Sequence, residues 1–551
     1  MKGLRFPIVI IACLVIFSAC SKNKKEYYLI PHVTVSPVVE NLLDSPVWKA
    51  MTQSKGFHAP WDGLTDETEF RCFATDDFFY FRFDVPETTL ALTKDFKEEM
   101  DVAPEDRVEV FFSLPGKLGT YLGTEMDPEG RALDYKCTYY RKFDYDWNFR
   151  TLEYSHRTYQ GGYSVAGRVS LDELAEEGFG IDVESGFQMG VFRADYREDG
   201  TVNWYSMKKT DDKKADFHQP SVFFDARVSR DSFFDMKGVV LSVEDLETAP
   251  WPRIAHDNGI NTIGTHITPS QVVGFMTSEK GKAFLKECEE LGIEVEHQLH
   301  AMGELFPRDL FEEDSTMFRM DENGRRVNDF NCCPHSEKAL DMIARKAAEY
   351  AAALPATNHR YYFWLDDNGL VCSCPECKEY SPSEQALIIE NRMIKAIREV
   401  DPKAMLAHLA YHNTMEPPVK VKPEEGIFLE FAPIERQWDR PLSDLDAPGR
   451  KGRMSHKEAL RMLEANLKVF PAETAVVLEY WLDVSLASDW KKPAVDLPWH
   501  PETFVSDLAT YAGYGLRNIT TFAVYMDSTY FADYPQQPCL PEYGMALEVF
   551  R

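Results

Sequence analysis

Basic residues are scarce relative to acidic ones in this 551-residue sequence. Lys and Arg total 60 against 90 Asp and Glu, which gives a formal net charge of −30 at pH 7. A surface with this excess of negative charge repels a phosphate backbone, so we expect no nucleic-acid partner. The sequence also has no low-complexity tract, and 44% of its residues are hydrophobic. These features exclude a largely disordered chain and indicate a large core.

Long hydrophobic runs are absent beyond the N-terminus. The first residues, MKGLRFPIVIIACLVIFSAC, contain Lys2 and Arg5, then an apolar run, then small residues before Cys20. The run is shorter than the roughly 20 residues that a membrane span needs. We therefore interpret residues 1–19 as a signal peptide. A plain secretory signal or a single transmembrane anchor is the alternative.

The ending FSAC resembles a bacterial lipobox, in which the cysteine is lipidated and becomes the mature N-terminus. The resemblance implies lipidation of Cys20, a tether over residues 20–30, and a lipoprotein anchored to the outer membrane of the bacterial cell envelope. The lipid would then be the only contact with the membrane. Removal of Lys2 and Arg5 with the leader leaves 58 basic and 90 acidic residues, a net charge of −32.

Two halves of the chain differ in periodicity. Residues 31–230 alternate apolar and polar residues over short runs such as FFYFRFDV and DRVEVFFSL, which predicts an antiparallel β-sandwich. Residues 236–551 instead alternate apolar runs with helical patterns. Eight such units predict a (β/α)8 TIM-type barrel. The predicted strands are residues 238–243, 261–267, 292–302, 360–367, 404–413, 426–433, 475–483 and 518–527.

The first half resembles the family 9 carbohydrate-binding modules. The similarity lies in Asp76 and Asp77 before FFYFRF, in DRVEV from Asp106, in Arg193 within VFRADY, in Trp204, and in the closing DFHQPSVFF. Because these modules bind sugars between aromatic rings, the resemblance implies sugar contacts by tryptophans. The candidates are Trp61, Trp147 and Trp204. The alternative is that these tryptophans belong to the core and that the sandwich is a spacer.

Polar residues follow the predicted barrel strands, where active sites of this fold are assembled. Glycoside hydrolysis generally needs two carboxyl groups flanking the scissile bond. We predict that the catalytic groups are Asp367, Asp366, Glu430 and Glu479, with no catalytic cofactor. Because successive strand residues point to opposite sides, we expect only one of Asp366 and Asp367 to face the barrel mouth, unless the strand has already ended. The alternative is that both acids stabilise the loop around the DNG turn. The predicted substrate-binding residues are His297, His300, Trp364, Tyr411, His412, Trp438 and Trp481.

The barrel region also resembles the domain of unknown function 4838 family of exported bacterial proteins. The matching pieces include CCPHSEKAL from Cys332, DDNGLVCSCPEC from Asp366 and HLAYHNTMEPP from His408. The family is related in architecture to hexosaminidase barrels, which place an acid pair after the fourth strand. The resemblance therefore implies that Asp366 and Asp367 occupy this place, but the family has no settled activity.

Four cysteines lie in or before the loop that follows the predicted fourth strand: Cys333, Cys372, Cys374 and Cys377. Four thiolates with Cys-x-x-Cys spacing are typical of a structural zinc site. An exported protein can instead form one or two disulfides with the same residues. In either case we expect a structural clamp on the loop that carries Asp367.

The leading hypothesis is a lipoprotein glycoside hydrolase that acts on a glycan or oligosaccharide. The first alternative is a glycan-binding lipoprotein without catalysis, for which a single carboxylate in the pocket would suffice. The second is a metal-dependent hydrolase such as a deacetylase, which would require His and Asp ligands to converge on one open site.

The lipobox prediction is tested by Cys20→Ala. We expect the variant to lack lipid and to leave the membrane fraction, because the thiol that carries the acyl chains is gone. Mass spectrometry of the N-terminal peptide and fractionation measure both effects. Normal membrane fractionation of the wild type with an unmodified Cys20 would contradict the prediction.

Overall fold

The computed structural model describes residues 27–37, 41–51, 56–59, 61–114, 119–179, 186–197, 199–367 and 369–551. Cys20, the signal peptide and most of the predicted tether lie outside these residues. No helix in the described part of the chain combines the length and the hydropathy needed to cross a bilayer.

The N-terminal half is an antiparallel β-sandwich, as predicted. One sheet contains β3, β2, β13, β12, β6, β7, β8 and β9 in that order, with β14 and β1 attached beside β12, and the second sheet has the order β10, β11, β5, β4. Two short helices are α1 (Val47–Ala50) and α2 (Leu171–Glu176). The strands are β1 (Tyr28–Pro31), β2 (Phe57–Ala59), β3 (Leu64–Asp66), β4 (Glu69–Ala74), β5 (Phe78–Pro86), β6 (Arg107–Ser113), β7 (Thr120–Met126), β8 (Ala132–Thr138), β9 (Lys142–Asp144), β10 (Glu153–Tyr159), β11 (Gly162–Ser170), β12 (Phe187–Tyr196), β13 (Val202–Ser206) and β14 (Phe224–Ser229).

The first strand begins inside the segment predicted to be a tether. Tyr28, Leu29 and Ile30 pair in parallel with residues 226–228 of β14. Ile30 is fully buried in the sandwich core. The sheet therefore starts three residues before the predicted boundary at residue 31, because the backbone of this segment completes an edge of the sheet.

The C-terminal half is a closed barrel of eight parallel strands, as predicted. The strands are β15 (Met236–Ser242), β16 (Thr262–His266), β17 (Glu294–His300), β18 (Arg360–Trp364), β19 (Met405–Ala410), β20 (Ile427–Phe431), β21 (Val476–Glu479) and β22 (Asn518–Phe522). The sheet closes where Met236–Val240 of β15 pair in parallel with Asn518–Phe522 of β22. Most predicted strands run past the observed C-terminal ends, because the polar residues there belong to loops.

Helices surround the barrel: α3 (Val243–Thr248), α4 (Trp251–Asp257), α5 (Pro269–Thr277), α6 (Glu279–Leu291), α7 (Met302–Leu305), α8 (Glu337–Ala353), α9 (Pro382–Val400), α10 (His456–Asn466), α11 (Val484–Ala487), α12 (Pro501–Gly513), α13 (Ser528–Asp533) and α14 (Cys539–Val549). The connection from β19 to β20 departs from the repeating pattern. It contains a single 3₁₀ turn, His412–Thr414, in place of an α-helix.

The sandwich and the barrel share a hydrophobic contact. Helix α1 packs against α12 and α14, and Trp48 joins the same buried cluster as the barrel helices. The Trp48 ring lies 4.9 Å from the ring of Phe73 in β4, and its indole N–H donates to the Leu42 carbonyl oxygen at 2.7 Å. In addition, Thr34 N–H donates to the Glu548 carboxylate of α14 at 2.8 Å. The sandwich is therefore packed onto the helical shell and away from the barrel mouth.

Substitution of Trp48 tests this contact. Because Trp48 is 2% exposed, Trp48→Ala should leave a cavity and lower the free energy of unfolding by about 3–5 kcal/mol. Thermal unfolding followed by circular dichroism measures the effect. Trp490→Ala is the matched control, since Trp490 is 61% exposed, and equal unfolding temperatures for the two variants would contradict the packing described.

Candidate active site

A cavity of about 290 Å³ opens at the C-terminal ends of the barrel strands. We call it the central cavity. Two carboxyl groups line it, Asp367 from the loop after β18 and Asp483 from the loop after β21. Its other polar and aromatic lining residues are His266, His300, Trp364, Tyr411, Tyr480, Ser485, Trp490, Phe522 and Tyr525. Carboxyl groups, imidazoles and aromatic rings therefore face one space.

Two further spaces adjoin the central cavity. One of about 40 Å³ shares His300, Trp364, Asp367 and Tyr411 with it. The other, of about 480 Å³, shares Tyr480 and Asp483 and extends to Trp438, Arg450 and His500. We call the larger one the side cavity. Together the three spaces form an elongated cleft across the mouth, with Asp367 at one junction and Asp483 at the other.

The two cavity carboxyl groups have different surroundings. Asp483 is 6% exposed and caps the N-terminus of α11, since Ser485 Oγ donates to its Oδ1 at 2.6 Å and Leu486 N–H donates at 3.1 Å. Burial raises the pKa of Asp483 to about 6, although these hydrogen bonds oppose the shift. Asp367 is exposed. Burial, and then the charge of Asp367, raise the pKa of the Tyr411 hydroxyl.

Two histidines line the cavity wall. The rings of His266 and His300 lie 5.2 Å apart, and His300 packs edge-on against Trp364 at 5.2 Å. Burial lowers the pKa of His266 to about 3 and also lowers that of His300, so both imidazoles are neutral at pH 7. The Nδ1 atom of His300 is buried and has no hydrogen-bond partner among the described residues. A bound ligand hydroxyl could supply that partner.

Left-handed backbone conformations cluster around the mouth. Positive φ angles occur at His412 (44°), Asp489 (50°), Trp490 (55°) and Tyr525 (75°). Such conformations cost non-glycine residues about 1–3 kcal/mol each and are concentrated at functional sites. Trp490, one of these residues, lines the cavity while 61% of its surface is exposed.

Asp366 does not share the role of its neighbour. Strand β18 ends at Trp364, so both acids belong to the loop and strand alternation does not separate them. The Asp366 carboxylate forms an ion pair with Arg308 and accepts the backbone N–H of Asn331, and its own N–H donates to Asn331 Oδ1 at 3.1 Å. Asp366 therefore fixes the loop that presents Asp367.

Glu430 faces the barrel interior but is not among the described residues that line the central cavity. It is fully buried, and Trp364 Nε1 donates to its Oε2 at 2.7 Å. Burial raises its pKa well above the usual range, so the side chain is a neutral acid that supports Trp364 from below. The prediction that Glu430 reaches the mouth is wrong, because the strand places it one layer too deep.

Glu479 lies on the opposite side of its strand. It contacts helix-side partners: Arg436 Nε donates to it at 2.9 Å and Tyr511 Oη at 2.5 Å. Arg436 also pairs with Asp507 of α12, and all three charged groups are fully buried. Burial raises the pKa of Glu479 to about 7 despite Arg436. The structure places Glu479 outside the central cavity, whose described lining includes Leu478 and Tyr480 at the inward-facing positions.

The predicted sugar-binding residues divide between the cleft and its surroundings. His300, Trp364 and Tyr411 line the central cavity, and Trp438 lines the side cavity. Trp481 touches the side cavity, but its indole N–H donates to Asp507 at 3.0 Å in the helical shell. His412 pairs with Glu435 at 2.7 Å beside Tyr411. His297 lies outside the described lining of the cleft, because it faces the helices, and its Nδ1 atom is 2.7 Å from Thr265 Oγ1.

The sandwich has a cavity of its own, of about 340 Å³. Trp204 lines it, whereas Trp61 and Trp147 are absent from its described lining residues. Arg107 lies 5.5 Å from the Trp204 ring and pairs with Glu109 at 2.9 Å and Glu125 at 2.6 Å. The charges in this cavity are thus paired with one another.

Side chains that resemble metal ligands converge at two places in the described residues. One is the predicted set Cys333, Cys372, Cys374 and Cys377, and the other is Glu87, Asp106 and Asp195 in the sandwich. Neither group contains a residue of the central cavity.

Comparison with known proteins agrees with this description of the barrel. The family model for the domain of unknown function DUF4838 matches residues 266–465. The resemblance predicted from the sequence is therefore confirmed over these residues, which include Asp367 and the four cysteines. No curated protein matches the chain.

Solved structures match each half. A carbohydrate binding module family 9 from Caldicellulosiruptor kristjanssonii in complex with glucose has 16% identity, covers 37% of this chain and 96% of its own, and gives a TM-score of 0.26. A GH18 chitinase from Pseudoalteromonas aurantia has 9% identity, covers 56% of this chain and 98% of its own, and gives a TM-score of 0.31. The structure of the tandem GH20 catalytic modules of the pneumococcal exo-β-D-N-acetylglucosaminidase has 9% identity. It covers 57% of this chain and 86% of its own, and gives a TM-score of 0.31. At these identities and scores the similarities say nothing about a ligand or a reaction.

The ion-pair network of Glu479 leads to a prediction. Glu479→Gln should lower the free energy of unfolding by about 3 kcal/mol, because it leaves Arg436 buried with one fewer counter-charge. The turnover rate on any substrate should stay close to that of the wild type. Thermal unfolding and rate measurements on the same preparation separate the two effects. A dead enzyme with an unchanged unfolding temperature would restore Glu479 as a catalytic residue.

Proposed function

We propose that this protein binds a glycan across the barrel mouth and hydrolyses one of its glycosidic bonds with Asp367 and Asp483. The observation that carries the proposal is the central cavity itself, in which two carboxyl groups from different loops face the same space between aromatic side chains. Two carboxyl groups flanking the scissile bond are what most glycoside hydrolases use. The leader expected at residues 1–19 would bring this site to the cell envelope.

The surroundings of the two acids suggest a division of roles. Asp483 is the general acid, because a buried carboxyl group with a raised pKa keeps its proton closer to neutral pH. Asp367 is the base or nucleophile, since it is exposed to solvent and adjoins Tyr411. In this scheme Asp483 protonates the leaving oxygen while Asp367 either activates water or attacks the anomeric carbon.

Aromatic and imidazole groups supply the binding contacts. Trp490 on the rim and Trp364 and Tyr480 on the walls offer ring faces and edges to the weakly polar faces of pyranose rings. His266 and His300 are neutral and can donate to or accept from sugar hydroxyls. The side cavity beside Asp483 extends the contact surface for further sugar units.

A second candidate function is glycan binding without hydrolysis. The observation that favours it is the hydrogen bonding of Asp483, whose Oδ1 is already engaged by Ser485 and Leu486 as the cap of α11. An N-cap role alone would explain an Asp at this position. The substitutions below distinguish the two functions.

Amide substitutions test the carboxyl pair. Asp367→Asn and Asp483→Asn should each reduce turnover by roughly 10²-fold or more, because the amide cannot transfer the catalytic proton. Glycan binding, measured by calorimetry, should persist in Asp367→Asn. Asp366→Asn is the matched control from the adjacent position. It should lower the unfolding temperature, because it loses the Arg308 ion pair, and should reduce turnover much less than Asp367→Asn does.

Two outcomes would contradict the assignment. Full activity in both Asp367→Asn and Asp483→Asn would exclude the pair. A wild-type protein that binds an oligosaccharide but releases no product from a broad panel would favour the binding function.

The pH profile tests the role of Asp483. A general acid acts in its protonated form, and the raised pKa keeps Asp483 protonated up to about pH 6. The value of kcat/KM should therefore fall as pH rises above about 6, by tenfold per pH unit at the basic limb. A rate that stays constant between about pH 5 and about pH 8 would contradict this role.

A further inference from the structure

We propose that Cys333, Cys372, Cys374 and Cys377 bind one Zn²⁺ ion through four thiolates, and that this ion joins two loops: the loop that presents Asp366 and Asp367, and the loop between α7 and α8. Cys333 belongs to the loop between α7 and α8, and the other three cysteines belong to the loop between β18 and α9. The proposal concerns stability of the barrel mouth and does not depend on which reaction occurs there.

The spacing of the sulfur atoms fits a tetrahedral ion. All four Sγ atoms lie within 4.8 Å of one another, and Cys333 Sγ is 3.9 Å from that of Cys374 and 3.7 Å from that of Cys377. Four thiolates at about 2.3 Å from a zinc ion, arranged tetrahedrally, have sulfur atoms about 3.8 Å apart. One sulfur placed at this distance from two others suits a shared ion, whereas a disulfide joins only two sulfurs at about 2.05 Å.

The surroundings of the sulfurs favour negative charge. The backbone N–H of Met320 donates to Cys372 Sγ at 3.2 Å, and His335 Nδ1 lies 3.1 Å from Cys377 Sγ. The Arg326 guanidinium approaches Cys372 Sγ at 3.9 Å. Four thiolates around Zn²⁺ carry a net charge of −2, so donors and a cation at the sulfurs stabilise such a site. Disulfides are neutral and would need neither the hydrogen-bond donors nor the cation.

The backbone around the cysteines is also shaped for a ligand site. Cys374 and Cys377 have Cys-x-x-Cys spacing, and the Cys377 N–H donates to the Cys374 carbonyl oxygen at 3.0 Å, which turns both side chains to one side. All four cysteines are at most 3% exposed. A closed, all-sulfur site of this kind is structural, because it leaves no open position for a substrate.

The ion would act on the loop that carries the candidate catalytic residue. The same two loops also meet where Ser373 N–H donates to the Met320 carbonyl oxygen at 2.8 Å, and where Asp366 pairs with Arg308. Among the described residues from Asp366 to Cys377, no helix or strand holds the loop after β18 in place. A four-sulfur ion a few residues from Asp367 would supply that rigidity.

The direct test is the metal content of the purified full-length protein. Elemental mass spectrometry should find one zinc per chain, and X-ray absorption at the zinc edge should show four sulfur neighbours at about 2.3 Å. Iron in place of zinc, or fewer than about 0.1 zinc per chain with disulfides among these four cysteines in a non-reduced peptide map, would overturn the proposal.

Single substitutions localise the ion. Cys374→Ser should lower the zinc content at least tenfold after dialysis against a chelator. Cys332→Ser is the matched control, because Cys332 is equally buried and adjacent in sequence but lies outside the four-sulfur group. Zinc retained in Cys374→Ser and lost in Cys332→Ser would contradict the ligand set.

A measurement on the wild type covers the case in which Cys374→Ser does not fold. Cobalt exchanged into the native protein should give visible absorption and a thiolate-to-cobalt charge-transfer band, both of which four-sulfur tetrahedral coordination produces. Zinc release should require modification of the four thiols by a mercurial reagent. Cobalt binding without a charge-transfer band would exclude thiolate ligands.

Discussion

Closure of the parallel sheet between β15 and β22 is the constraint on which the candidate site depends. Because all eight strands run in the same direction, their C-terminal ends meet at one mouth. Asp367 and Asp483 are more than a hundred residues apart in the sequence, yet they line one cavity because they follow the fourth and the seventh strand. The sandwich packs on the helical shell through α1 and leaves this mouth open.

The same geometry separates acids that look alike in the sequence. Side chains that alternate along a barrel strand point either to the interior or to the helices. Glu430 points inward and is buried below Trp364, whereas Glu479 points outward to Arg436 and Tyr511. The two acids that line the central cavity, Asp367 and Asp483, lie in loops beyond the strands. The left-handed conformations of Asp489 and Trp490 occur in one of these loops.

The fold was largely predictable from the sequence, because short alternating runs and long apolar runs mark the two kinds of sheet. The side of the barrel wall to which each strand side chain points was not predictable. A parallel strand is buried on both sides, so Leu478 and Tyr480 give no hydrophobic asymmetry from which the outward position of Glu479 could be read. His297 was misplaced for the same reason. The four cysteines were found by their spacing alone.

Asp483 and Trp490 are among the site residues that the predictions missed, and the reasons differ. Asp483 is the last residue of the predicted seventh strand, but the catalytic assignment went to Glu479 in the same strand. Trp490 lies in a loop with positive φ angles at Asp489 and Trp490. The local sequence ASDWKK contains no pattern that predicts these angles. Its signal is its high exposure beside the cavity, which only the folded chain provides.

The central claim is that the barrel mouth hydrolyses a glycosidic bond. The most direct test is incubation of the wild-type protein with an oligosaccharide panel in ¹⁸O-labelled water, with the products analysed by mass spectrometry. Hydrolysis between the anomeric carbon and the glycosidic oxygen should give shorter sugars that carry one ¹⁸O at the new reducing end. Binding of an oligosaccharide that is recovered intact and unlabelled, with no product from any member of the panel, would contradict the claim.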